Sequence, residues 1–141
     1  MKKKNICFYL TLQLIIIASF VSINGCGDNP EIGIGPIKEV KLEAQVNEDM
    51  ANKGKAIFEA KCVSCHKFNE KLVGPPLAGI TKKRKPEWIM NMITNVDMML
   101  DNDEQAQKLL ETCKTRMNVD VLSVSDARDV LEYMRQNDGE K

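Results

Sequence analysis

The chain has 141 residues, which is enough for one small domain. With 43% hydrophobic and 28% charged residues, its composition excludes global disorder, a collagen-like fibre and a long coiled coil. The formal net charge is zero, and without the three lysines at positions 2–4 it becomes mildly negative, which does not favour nucleic acid as a partner. Aromatic residues are scarce at 5%, so the core would be thin unless a large apolar cofactor completed it.

Residues 1–25 have the pattern of a secretory leader. Three lysines precede a mostly apolar run that ends at residue 23, and small residues follow it. The ending Ile23-Asn24-Gly25-Cys26 resembles the bacterial lipoprotein box, which implies cleavage before Cys26 and attachment of lipid to it. An uncleaved transmembrane anchor is the alternative, although a run of about 18 residues is at the lower limit for spanning a bilayer. Either interpretation places the rest of the chain outside the cytoplasm, and the lipidated form would face the periplasm from a bacterial membrane.

Residues 26–46 are rich in glycine and proline, as in Gly33 and Gly35-Pro36, and have little helical pattern. We predict a lipidated flexible tether here, followed by a single domain over residues 47–141. About 20 extended residues could reach about 65 Å. Such a tether would let the domain swing between two membrane-bound partners.

Cys62-Val63-Ser64-Cys65-His66 is the most informative motif in the chain. Its pattern, C-x-x-C-H, is typical of covalent c-type haem attachment. Two thiols one helical turn apart can each add to one vinyl group of a haem, and the adjacent His66 is then directed at the iron as a ligand. A thioredoxin-like redox pair would need a βαβ pattern and a zinc site would need a second pair of ligands, and the sequence contains neither. The motif therefore predicts one covalent haem c with its iron.

Apolar residues recur at helical spacing in four segments, and no segment has the pattern of a strand. Pro86 is typical of a helix start, and Ser123 with Asp126 approximates a capping box before the last segment. Gly54 would let the first and last helices cross closely. We therefore predict an all-α domain of about four helices. Their apolar faces comprise Met50, Gly54, Ile57 and Phe58; Trp88, Ile89, Met92 and Ile93; Ala106, Leu109, Leu110 and Cys113; and Ala127, Val130, Leu131 and Met134.

Residues 47–137 resemble a class I mono-haem cytochrome c. The family pattern G-x-x-x-F is present at residues 54–58, the loop pattern Gly-Pro-x-Leu at residues 74–77, and the Leu-Ser start of the final helix at Leu122-Ser123. These separate matches occur in the order that the family requires. The resemblance implies the class I cytochrome c fold, in which about four helices wrap around one covalently bound haem.

The resemblance also assigns roles to the residues around the motif. Cys62 and Cys65 would hold the haem, and His66 would bind its iron. The carbonyl of Pro75 would accept a hydrogen bond from His66 Nδ1, which orients the ring and raises its basicity. Leu77 would pack on the haem.

The sixth iron ligand must be a methionine, a rarer side chain or no side chain, because His66 is the only histidine. In the resembled family the ligand methionine lies on a loop before the final helix, and Met117 occupies this position. The next residue is Asn118, where the family often has proline. Met98 and Met99 are the alternatives, on a predicted loop where they could instead be an apolar pair that shields the haem.

Three further features have both a functional and a structural interpretation. The basic run at residues 82–85 could steer an acidic partner, and by the resemblance Arg84 would pair with a haem propionate, whereas a solvated loop is the alternative. Trp88 either donates its indole N–H to a propionate or fills the core. Cys113 lies on an apolar stripe and is predicted to be a buried small hydrophobe.

Together these features predict a single-electron carrier rather than an enzyme. With histidine and methionine both at the iron no substrate binds, and methionine raises the reduction potential. The expected donor is a membrane quinol-oxidising complex, and the expected acceptor is an exported or membrane terminal reductase. The resemblance to short lipoprotein cytochromes implies that this acceptor is a terminal oxidase or nitrous-oxide reductase. The lipid membrane would be a third partner, through Cys26. The alternative is a haem ligand-binding sensor or small peroxidase with a labile sixth ligand.

Overall fold

Six α-helices and no strand make up the described part of the chain, which in this computed structural model comprises residues 29–118, 120 and 122–140. The all-α prediction is confirmed, and two short helices, α2 and α4, are added to those predicted. None of the described helices is long and apolar enough to cross a membrane. The predicted leader and Cys26 lie outside the described residues. In chain order the helices are α1 (Glu48–Lys61), α2 (Ile80–Lys83), α3 (Pro86–Thr94), α4 (Val96–Asn102), α5 (Glu104–Cys113) and α6 (Val124–Asn137).

Local sequence signals account for three of the helix starts. The side chain of Asn47 accepts a hydrogen bond from the backbone N–H of Met50 at the start of α1. Ser123 Oγ accepts one from the backbone N–H of Asp126 at 3.1 Å at the start of α6. Pro86 is the first residue of α3, where its missing N–H costs nothing.

Helix α1 packs across α6, and Gly54 lies at the contact. A Cβ atom at Gly54 would collide with the backbone of Asp129 and Val130, so a side chain here would force the two helices apart. The predicted close crossing is therefore confirmed. Side chains buried on the two helices include Ala51, Phe58, Ala127, Val130, Leu131 and Met134.

Helix α2 includes the first two residues of the basic run, for which a solvated loop was the alternative interpretation, and Asp138 holds the start of this helix. The carboxylate of Asp138 accepts hydrogen bonds from the backbone N–H groups of Gly79 and Thr81 at 2.6 and 3.0 Å, and from the Thr81 hydroxyl at 2.8 Å. Burial by itself would raise the pKa of Asp138, but these hydrogen bonds outweigh it, and the pKa is lowered.

The prediction that Met98 and Met99 lie on a loop is wrong, because both belong to α4. Only Asn95 separates α4 from α3. Helix α4 has seven residues, and Asn95 makes no side-chain capping bond. Neither length nor a start signal therefore distinguishes this helix from a loop in the sequence.

Residues 30–43, which were predicted as part of a flexible tether, pack on the domain. The N–H of Ile37 donates to the Asn91 side chain at 3.0 Å, and the N–H of Val40 donates to Glu87 at 2.8 Å. Ile37 itself belongs to the core cluster. For this part of the chain the structure differs from the prediction, because its isoleucines and valine supply apolar surface that the domain buries. The glycine content that suggested flexibility instead permits close packing.

A buried ion network joins α6 to the start of α1. The carboxylate of Glu132, with its side chain 1% exposed, accepts hydrogen bonds from the guanidinium groups of Arg128 and Arg135 and from the N–H of Asn47. Burial by itself would raise the pKa of Glu132, but the bonds from Arg135, Arg128 and Asn47 outweigh it and the pKa is lowered. Glu132 therefore stays ionised in the folded protein at neutral pH.

Candidate functional site

The C-x-x-C-H motif forms a tight turn at the end of α1. The N–H groups of Cys65 and His66 both donate to the carbonyl of Cys62, at 3.0 and 2.8 Å. This turn places Cys62, Cys65 and His66 on the wall of one cavity. Both thiols are free, and burial, followed by the effect of Cys65, raises the pKa of Cys62 so that it keeps its proton near neutral pH.

The imidazole of His66 is oriented by the loop that follows the motif. Its Nδ1 lies 3.0 Å from the carbonyl oxygen of Pro75, as the family resemblance implies. Because a carbonyl only accepts, Nδ1 carries the proton and the lone pair of Nε2 remains available for a metal. A Cβ atom at Gly74 would collide with the imidazole ring, so the backbone of Gly74 lies directly against it. The ring is therefore fixed on two sides before any metal binds.

The cavity has a volume of about 370 Å³ and is lined mostly by apolar side chains. All six helices contribute to the cavity wall, α2 through Ile80 alone and α4 through Leu100 alone. Leu77, which the resemblance assigns to haem packing, is part of the lining. The apolar lining comprises Phe58, Val73, Leu77, Ile80, Trp88, Ile89, Met92, Ile93, Leu100, Leu109, Leu110, Leu122, Val130 and Met134.

The structure separates the three methionines that were considered as iron ligands. Met117 lines the same cavity as His66, whereas Met98 and Met99 do not. Met98 is 50% exposed on α4. Met99 is fully buried, and its sulfur accepts a hydrogen bond from the N–H of Ile34 at 3.1 Å. Of the three, Met117 alone lines the cavity that His66 borders.

Two cavity methionines were interpreted from the sequence only as packing residues. Met92 of α3 and Met134 of α6 both line the cavity, and Met134 is 5% exposed. Their helical spacing correctly predicted an apolar face but could not show that this face borders a cavity. They are therefore the controls against which a role for Met117 must be tested.

The side chains of Arg84 and Trp88 are engaged with protein groups. The guanidinium of Arg84 lies over the indole of Trp88, 4.6 Å from the ring centroid. The indole N–H of Trp88 donates to Asp103 at 3.2 Å, and Trp88 is buried, which fits its interpretation as a core residue. Trp88 lines the cavity but Arg84 does not. Pairing of Arg84 with a haem propionate stays a prediction.

The segment before α6 is held to α4 by an arginine that sequence analysis missed. Arg116 donates to Asp97 at 2.9 Å and to Asp101 at 3.0 Å, and these contacts, with the carboxylates themselves, raise the pKa of Arg116. Arg116 immediately precedes Met117, so the two exposed ion pairs link the backbone beside the proposed ligand to α4. The acidic residues of α4 were visible in the sequence, but their pairing with Arg116 depends on tertiary structure.

Cys113, predicted as a buried hydrophobe, is half-buried on the cavity wall.

These residues fit a covalently attached haem. The two free thiols of the motif, the imidazole of His66 with one free nitrogen and the thioether of Met117 border a single apolar cavity. Thiols suit the two vinyl groups, and nitrogen and thioether sulfur suit the two axial positions of the iron. No disulfide or second histidine competes for these groups within the described residues.

Comparison with known proteins also points to a protein with a covalently attached haem. The family model for cytochrome c matches residues 51–138, which is more than half of the chain. No curated protein sequence matches the chain.

Solved structures of one bacterial cytochrome c and its engineered forms are similar to the chain over most of its length. Cytochrome c from Rhodothermus marinus is 35% identical, with a TM-score of 0.74, and the match covers 79% of this chain and 95% of that one. An engineered form of the Rhodothermus marinus cytochrome c, described as bound to a carbene intermediate, is 34% identical with a TM-score of 0.71, covering 78% of this chain and 98% of that one.

Proposed function

The chain belongs to the cytochrome c family, and from this premise we propose that it carries single electrons through a haem c whose iron is held by His66 and Met117. Cytochromes c bind haem c covalently and generally serve in electron transfer, and Cys62 and Cys65 fit the attachment motif. When bound, the haem supplies a one-electron couple between ferric and ferrous iron. The observation that carries the proposal is that Met117 and His66 line one apolar cavity.

Each residue of the site has a separate task in this proposal. Cys62 and Cys65 would hold the cofactor, and the carbonyl of Pro75 holds the proton on Nδ1 of His66, which leaves the lone pair of Nε2 available to the iron. Met117 would supply a second ligand and would so keep other molecules from the iron. The apolar wall excludes water, which favours the ferrous state because it carries less net charge than the ferric state in a medium of low dielectric.

We also propose that the protein is an exported lipoprotein anchored through Cys26. Support comes from the sequence at residues 23–26 and from the family, since cytochromes c are typically extracytoplasmic. A membrane quinol-oxidising complex would be its donor, and an exported or membrane terminal oxidase or reductase, including nitrous-oxide reductase, would be its acceptor. An exported one-electron carrier on a membrane is suited to connect such partners.

The test of the site uses the full chain matured with haem in a bacterial periplasm. We expect the ferric protein to show the weak far-red charge-transfer band of methionine–iron ligation, and Met117→Ala to abolish it. Met92→Ala removes another cavity methionine and Met98→Ala removes an exposed one, so both should keep the band. Loss of the band in Met92→Ala alone would transfer the ligand role to Met92.

The same preparation tests electron transfer against the alternative function. With the sixth position filled, ferrous wild-type protein should bind carbon monoxide slowly or not at all, and Met117→Ala should bind it readily. A wild-type protein that lacks the far-red band and binds carbon monoxide readily would refute the electron-carrier proposal. The haem sensor or small peroxidase would then be the better interpretation.

A further inference from the structure

Asn91 clamps the N-terminal strap, which we define as residues 30–43, onto the domain. Asn91 is 0% exposed in the middle of α3. Its Nδ2 donates to the carbonyls of Ile32 and Ile37 at 3.0 and 2.9 Å, and its Oδ1 accepts from the N–H of Ile37 at 3.0 Å. Both N–H groups of this side chain and its oxygen are therefore used to bind the strap, and none is used to bind another part of the core.

Glycines in the strap allow this close approach. A Cβ atom at Gly35 would collide with the side chain of Asn91, and one at Gly33 would press on the side chains of Met99 and Trp88. Gly33 also has a φ of 70°, which an L side chain adopts only with strain. The strap is thus shaped to fit against α3 and α4.

Contacts on either side of Asn91 extend the attachment over the whole strap. They involve four different helices, so the strap crosses the domain rather than touching it at one point. These contacts are Gln105 Nε2 to Pro30 O at 2.7 Å, Ile34 N to Met99 Sδ at 3.1 Å, Val40 N to Glu87 Oε1 at 2.8 Å, and an Arg135 guanidinium N–H to Glu43 O at 2.9 Å.

The clamp shortens the reach of a lipid anchor. If Cys26 carries lipid, six residues lead from it to Ile32, where Asn91 first binds the strap. At about 3.3–3.6 Å per extended residue, this span is at most about 20 Å. With the strap released, the chain would be free as far as Asn47, and the same bond geometry would allow about 70 Å.

We propose that the Asn91-clamped strap holds the haem domain within about 20 Å of the membrane, so that its redox partner is a membrane-embedded protein whose docking site lies at that height. This inference rests on the lipid anchoring proposed above. In this arrangement the domain moves laterally along the membrane and does not swing far above it. The domain could reach a partner whose docking site projects far beyond this height only after the strap had been released.

The test uses the full-length lipidated holoprotein on phosphatidylcholine vesicles that contain a headgroup-labelled fluorescent lipid. The haem quenches the label more strongly the closer it lies. We expect strong quenching for wild type and at least twofold weaker quenching for Asn91→Ala, which leaves the strap without its clamp. Gly35→Ala should weaken the quenching to the same extent, because the added methyl group would collide with the side chain of Asn91. This variant leaves the sequence of α3 unchanged, so it tests the inference even if Asn91→Ala folds poorly. Glu39→Gln, at an exposed strap position, should match wild type.

Amide hydrogen exchange at Ile37 provides the second readout, because it reports the strap directly and needs no membrane. The Ile37 amide should be protected in wild type and should exchange at least tenfold faster in Gly35→Ala. Fast exchange in wild type, or equal quenching for all variants, would overturn the inference. Failure of the full chain to sediment with the vesicles would overturn both the inference and the lipid anchoring, but would leave the far-red test of the electron carrier unaffected.

Discussion

Replacement of Glu132 by glutamine should strongly destabilise the folded protein. Its carboxylate lies between Arg128 and Arg135, whose side chains are 18% and 4% exposed, and also accepts the N–H of Asn47. Removing one partner of a buried ion pair typically costs about 3–5 kcal/mol, because the remaining charge is left without compensation. Arg128 can still reach water and glutamine retains an oxygen for Asn47. We therefore expect the lower end of this range, about 3 kcal/mol.

Urea denaturation of the haem-loaded protein, followed by far-UV circular dichroism, measures this loss. For a small domain with an m-value of about 1–3 kcal/mol per molar urea, a loss of about 3 kcal/mol lowers the midpoint by about 1–3 M. Glu111→Gln is the matched control, because Glu111 is exposed on α5 and the same chemical change there should alter stability by less than about 0.5 kcal/mol. If Glu132→Gln behaved like this control, the network would not stabilise the attachment of α6 to α1.

Three further perturbations test other parts of the structure. The folded-state pKa of Asp138 lies below its ordinary value of 3.8, so the stability that this carboxylate contributes is complete above pH 3.8 and is lost as the pH falls through the folded-state pKa. Asp138→Asn should therefore weaken the fall of the urea midpoint at acid pH, and an unchanged fall would contradict this. Gly54→Ala should lower the free energy of unfolding by at least about 1–3 kcal/mol, because the added methyl group meets the backbone of Asp129, and an unaltered urea midpoint would show that the helices separate freely. Arg116→Gln should loosen the segment that carries Met117 and raise the affinity of the ferric haem for added imidazole, and high salt should raise that affinity in wild type by screening the same ion pairs. Equal imidazole affinities of the variant and wild type at low salt would refute this prediction.

The parts of the site that the sequence predicts are those that depend on local geometry. The spacing of Cys62, Cys65 and His66 is set within one turn. The hydrogen bond from His66 to Pro75, which joins residues nine positions apart, was implied by the family resemblance. The helix starts at Pro86 and Ser123 were found because their signals are also local. Such signals act over a few residues, so one sequence contains them in full.

The parts that the sequence does not predict depend on long-range contacts. Asn91 binds Ile32 and Ile37, which lie 59 and 54 positions away, and nothing local indicates that pairing. An asparagine between two methionines on a largely apolar helix was nevertheless a signal, because a buried amide must find hydrogen-bond partners. A buried Asn91 therefore indicates that another segment of the chain supplies its hydrogen-bond partners, but the sequence does not identify that segment.

The two sides of the proposed haem site are held by different kinds of interaction, and this difference bears on function. His66 is fixed by a backbone carbonyl and by covalent attachment one residue away, neither of which salt can weaken. Met117 lies three residues after Lys114, whose φ of 57° is unfavourable for a non-glycine residue, and directly after Arg116, whose ion pairs are exposed. If Met117 binds the iron as proposed, ligand loss should therefore begin there, and the persistence of this bond would decide whether the protein acts as an electron carrier or as a ligand-binding haem protein.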